Sequence, residues 1–158
     1  MGKIIKLGAI LAIFCVLSAG GLAFVYLFTQ PKIELNSKLA LEKSKQEVLP
    51  ASGKGKAISV FTQGYSGKIN MLVGVDPQGK VSGVKILNHR ETPGLGANIV
   101  KSGFLKQFKG KSLKDPIEPK QDIDAITGAT ISSRAVCKGV KEALKKAKDL
   151  PAGRQESR

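Results

Sequence analysis

The sequence predicts an α+β fold: an antiparallel sheet packed by helices, preceded by one N-terminal transmembrane helix. Three stretches carry that expectation. Leu7 to Phe28 is free of charge over 22 positions. As a helix it would rise about 33 Å, enough to span a hydrocarbon core of about 30 Å. Residues 68–87 read as strand, turn and strand. Residues 132–148 place apolar side chains at helical spacing.

Taken in order, residues 1–6 form a short basic N-terminus, with Lys3 and Lys6 ahead of the apolar run. The positive-inside rule then keeps that end in the cytoplasm and sends the rest across. A cleaved signal peptide is the alternative, with Ser18-Ala19-Gly20 as its cleavage site. Its apolar region should be roughly 7–15 residues long, and this run continues to Phe28. Residues 7–28 are therefore read as an anchor. Residues 29–56 follow as a helical linker. Pro31 is expected to break the helix, Ile33 to Val48 to form an amphipathic one, and Leu49-Pro50 to end it. Ala51 to Lys56 is Gly- and Lys-rich, as in a flexible connector.

Residues 57–150 are expected to form one extracytoplasmic domain. Ala57 to Phe61 has β-branched and aromatic residues, and Gly64 to Gly67 is a turn. Lys68 to Val75 and Lys80 to Leu87 are strands. Asp76-Pro-Gln-Gly79 joins them with turn chemistry: Pro presets φ and Gly tolerates a positive value. His89 to Gly96 is a loop, since two glycines and a proline in eight residues oppose regular structure. Ile99, Phe104, Leu105 and Phe108 suggest a short helix near 99–108. Lys114 to Lys120 is extended, and Asp122 to Ile126 reads as a short strand. The final helix is expected to begin near Ser132 or Ser133 and to run to Lys148. Val136, Val140, Leu144 and Ala147 make its apolar stripe. Residues 151–158 read as a disordered tail.

Composition narrows the function classes. The net charge is +14. Nucleic acid is not the expected partner, because the domain is exported, Trp is absent, and the six Phe and two Tyr are split between the domain and the anchor. Anionic headgroups, an acidic partner or a merely solvated surface suit the charge better. Cys15 lies in the anchor and Cys137 in the domain, so no disulfide framework exists. His89 is the single histidine, and no metal site is expected.

Thr127-Gly-Ala-Thr130 stands just ahead of the final helix. Thr130, Ser132 and Ser133 there suit an N-cap, and the same position suits a phosphate. Both readings stay open on the residues alone. Asp124-Ala-Ile-Thr-Gly-Ala-Thr130 resembles the flavinylation motif of the FMN-binding domain family. That family includes the G subunit of Rnf electron-transport complexes and the C subunit of sodium-translocating NADH:quinone reductase. His89-Arg-Glu-Thr-Pro-Gly-Leu-Gly96 resembles a loop of Rnf G subunits, and Gly64-Tyr-Ser-Gly67 with Leu72 to Val75 resembles their hairpin.

The resemblance implies FMN as cofactor, joined by a phosphoester to Thr130 by a dedicated flavin transferase. It implies that Asp124, Thr127, Gly128, Ala129 and Ser132 belong to the attachment segment. Asp124 would serve recognition by the transferase, bind magnesium during transfer, or fix the loop. Glu91, Thr92, Gly94, Leu95 and Gly96 would lie beside the ring or ribityl chain. No catalytic residue is expected, because the ring chemistry is the flavin's. The implied function is an electron-transfer subunit of a membrane Rnf-type complex that couples electron transfer to ion translocation. Such a chain is a non-autonomous redox subunit whose partners are other subunits, the transferase and the membrane. It would sit in the cell (inner) membrane as a single-pass protein, its C-terminal domain on the periplasmic or extracellular side. A free-standing membrane-anchored FMN carrier and a basic adaptor without cofactor are the alternatives.

Overall fold

A computed structural model describes residues 2–50 and 55–149. The chain forms two compact units that part between Glu42 and Lys43. Most of the connector 51–56 and all of the tail 151–158 lie outside the described residues.

Helix α1 runs Gly2–Val48 and holds Pro31 in its interior. The expected break at Pro31 is therefore corrected. Proline removes one i→i−4 hydrogen bond and crowds one carbonyl, at about 3 kcal/mol. The long helix bears that loss without ending. Its apolar stretch is exposed, and it is long and apolar enough to cross a membrane. The helix stops at Val48, as Pro50 predicts.

The second unit holds β1 (Lys56–Gln63), β2 (Lys68–Val75) and β3 (Val81–Asn88), in the order β1-β2-β3 with antiparallel pairing throughout. The expected hairpin of β2 and β3 is present, and the turn at Gly64 to Gly67 joins β1 to β2 in another. In the first turn Gly64 N–H donates to Gly67 O. In the second, Asp76 Oδ1 accepts from the N–H groups of Gln78 and Lys80. Alternation puts Val60, Ile69, Met71 and Val73 on one buried face. Leu72 and Ala57 point the other way and pack with Val48 at the end of α1.

Helix α3 (Thr130–Asp149) covers the first face. Val136, Val140, Leu144 and Ala147 are all buried, so the apolar stripe holds as expected. Each of the Val and Leu side chains stabilises by about 1.5–3 kcal/mol when fully buried. The helix approaches the sheet closely at Gly139, where an added Cβ would meet Met71 Sδ at 2.7 Å.

Three boundaries differ from expectation. The helix near 99–108 is two short pieces, a 3-10 helix at Gly96–Val100 and α2 at Ser102–Lys106. Lys101 is extended between them, and Ile99, Phe104 and Phe108 still turn inward. Asp122 to Ile126 is not a strand: only one isolated bridge joins Pro119 to Ile123. The Asp122 carboxylate instead accepts the N–H groups of Ile117 and Glu118, closing a turn with positive φ at Ile117 and Lys120. Finally, α3 starts at Thr130 itself.

Candidate functional site

The start of α3 is tied to its own preceding loop. Ser133 Oγ donates to Ala129 O at 3.0 Å and accepts from Ile126 N–H at 3.1 Å. Gly128 stands at φ +76°, a backbone that L side chains adopt at a cost. This closes Thr127 to Ala129 into a turn and delivers Thr130 half-buried at the first helical position. Among the described residues its hydroxyl has no hydrogen-bond partner. The N–H groups of a first helical turn lack intrahelical acceptors, so the position favours an anion.

The loop after β3 approaches the same place. Glu91 is buried at 5% exposure, and Ser132 at 1%. Ser132 Oγ donates to Glu91 Oε2 at 2.5 Å, and Ser66 N–H donates to Glu91 Oε1 at 3.2 Å. Ser66 and Thr92 hydroxyls lie 3.0 Å apart. Gly96 is required here, because a Cβ would stand 2.7 Å from Glu91 Oε2 and 2.9 Å from Ser132 Oγ.

Between these segments lies a cavity of about 430 Å³. Glu91, Thr92, Leu95 and Gly96 line it from one side, and Gly128, Ala129, Thr130 and Ser132 from the other. Two segments far apart in sequence thus line one cavity. The remaining expected positions lie elsewhere. Gly94 turns the loop at φ +77° and its carbonyl accepts from Asn98 Nδ2. Thr127 is exposed beside the turn. Asp124 borders a separate cavity of about 510 Å³, where its N–H donates to Gln107 Oε1 at 2.7 Å.

Two lining residues were not singled out from sequence, Tyr65 and Ile131. With Leu95 they form a lip of large apolar groups, 68%, 52% and 48% exposed in the order Tyr65, Ile131, Leu95. An aromatic at the tip of the Gly64–Gly67 turn was the available signal. His89 Nδ1 accepts from Glu91 N–H at 3.3 Å and does not line the cavity. Cys137 is buried on the core side of α3, and burial pushes its thiol up to about 12. It is a packed small side chain at neutral pH.

The lining suits a flavin nucleotide. Its volume falls within the usual range for bound small molecules, roughly 300–1,000 Å³. It offers apolar surfaces for a flat ring, polar groups from both segments and a helix N-terminus for a phosphate. These features define a nucleotide-cofactor domain in a chain that also carries an apolar helix of membrane-spanning length.

Comparison with known proteins places it more closely. The FMN-binding domain model matches residues 64–145, more than half of the chain. The RnfG N-terminal region model matches residues 1–48. The chain belongs to the FMN-binding domain family, and FMN is its cofactor. It is 36% identical over 171 residues to the G subunit of the proton-translocating ferredoxin:NAD(+) oxidoreductase complex of Clostridium ljungdahlii, covering 91% of each chain. It is 34% identical over 186 residues to the G subunit of the ion-translocating oxidoreductase complex of Shewanella oneidensis, covering 89% of this chain and 87% of that one. Among solved structures it resembles the C subunit of the Na(+)-translocating NADH-quinone reductase from Parabacteroides distasonis, with a TM-score of 0.50 at 26% identity. That match covers 60% of this chain and 55% of the other, just over half its length.

Proposed function

We propose that this chain is an FMN-bearing electron-transfer subunit of an ion-translocating membrane complex, with the cofactor esterified through its phosphate to Thr130 Oγ. The observation that carries the attachment site is the Thr130 hydroxyl. It is half-buried, without a hydrogen-bond partner among the described residues, and set at the start of α3 in the cavity shared by the two glycine-bearing segments. FMN, when bound, supplies reversible uptake and release of electrons. The protein's share is to bind, orient and shield. Thr130 tethers, the first turn of α3 offers N–H groups to the phosphate, and Tyr65, Leu95 and Ile131 offer apolar surface to the ring.

A threonine hydroxyl is a weak nucleophile, so a transferase must activate it. The Thr130 O–H bond is replaced by Oγ–P. The proton passes to a base of the transferase, and the donor's P–O bond to its leaving group breaks, that group departing with the bonding electron pair. Lys3 and Lys6 at the head of α1 support a cytoplasmic N-terminus and a domain on the opposite, periplasmic or extracellular, side. The other subunits of the complex are the partners.

The test is in-gel flavin fluorescence of the full chain, co-expressed with a flavin transferase and run under denaturing conditions. Wild type and Thr127→Ser should fluoresce. Thr130→Ala should be dark while melting close to wild type, since it removes one partly exposed hydroxyl. Fluorescence retained in Thr130→Ala would overturn the attachment site.

A further inference from the structure

Resting on that reading, we infer that Glu91 is a fixed negative charge in the cavity wall that lowers the midpoint potential of the flavin held at Thr130. Three segments converge on its carboxylate. The β1–β2 turn gives the Ser66 N–H, α3 gives the Ser132 hydroxyl, and the loop after β3 supplies Glu91 itself. Gly64 and Gly96 leave room for it, because a Cβ at either position would collide with its oxygens. The side chain is 5% exposed and lines the cavity.

The structural role alone does not account for a carboxylate. Holding the turn and the helix needs only two hydrogen bonds. A glutamine would make both, its carbonyl accepting the Ser66 N–H and its amide donating to Ser132 Oγ, without the desolvation penalty of an ion, which is several kcal/mol in a protein interior. Among the described residues no Lys, Arg or His lies within ion-pair distance of Glu91. The compensation is partial: two hydrogen bonds and the positive end of α3, whose third residue is Ser132. The site therefore retains net negative charge in a water-poor wall, where screening is weak. Reduction adds negative charge to a flavin. A neighbouring fixed anion opposes that addition and makes the reduced cofactor a stronger donor.

The experiment uses the full chain in detergent, flavinylated by co-expression, with Glu91→Gln as the principal variant. In-gel fluorescence should show flavin still attached, and the flavin-free protein should melt no lower than wild type. Spectroelectrochemical titration should give a midpoint potential above that of wild type. An attached flavin whose potential is unchanged or lowered would overturn the inference. Should Glu91→Gln fail to load, Ser132→Ala decides. It keeps the charge and removes one donor that neutralises it, so the potential should fall below wild type, and an unchanged potential overturns the inference. A wild-type chain without attached flavin would instead overturn the reading of Thr130 on which this one rests. Loaded wild type with an unmoved potential in the variants would leave that reading standing.

Discussion

Gly128→Ala tests the geometry of the attachment segment without touching Thr130. Gly128 sits at φ +76°, and its added Cβ would meet Leu95 Cδ2 at 3.0 Å. Gly94 supplies the control, with φ +77° and nothing within 4 Å of a built Cβ. A left-handed backbone costs an L residue about 1–2 kcal/mol. Alanine also narrows the unfolded ensemble, which offsets about 0.4–1 kcal/mol. The net loss is therefore on the order of 1 kcal/mol at either position. For a domain of this size that lowers Tm by about 4–8 °C. The two variants should part company at the cofactor. Only Gly128→Ala pushes Leu95, which lines the cavity, so only it should reduce flavin loading. Circular-dichroism melts of the detergent-solubilised chain read the first effect, and in-gel fluorescence reads the second. Two neutral or stabilised variants would refute the backbone assignment. Equal loss of flavin in both would refute the division between cavity wall and outer loop.

Two further outcomes concern the scaffold. Among the described residues Thr62 Oγ1 is buried without a hydrogen-bond partner, so Thr62→Val should raise stability by about 1 kcal/mol, read from chemical denaturation. Burial opposes ionisation of Asp122, but the N–H groups of Glu118 and Ile117 and the Lys111 ammonium outweigh it, holding its pKa below 3.8. A depressed carboxylate contributes stability that is present above 3.8 and lost as pH falls through the lower folded value. Asp122→Asn should then melt below wild type at neutral pH, with the gap closing in strong acid.

The sequence was legible where one local rule decided the outcome. Asp76-Pro-Gln-Gly79 set the second hairpin, and the stripe from Val136 to Ala147 set the covered face of α3. Pro31 does not end α1, because one missing hydrogen bond is a small loss in a helix of 47 residues. Asp122 to Ile126 reads as a strand only from its β-branched residues Ile123 and Ile126, and that reading conceals an Asp122 side chain that binds the backbone five residues upstream. At the site, the two motifs were readable separately, and their union across the cavity was not. Tyr65 and Ile131 join it through tertiary placement. The separation of Asp124 from the cavity follows from Gln107, which no local pattern pairs with it.

Each strand of the sheet pairs with its neighbour in sequence, so the meander closes through short loops and should form early. Its buried face stays incompletely covered until α3, the last described element of the chain, packs against β1 and β2. Thr130 is the first residue of that same helix. A chain cut short before it loses the attachment point and the cover of the core together. Synthesis errors therefore yield an unfolded product open to proteolysis, not a folded protein that lacks only its cofactor.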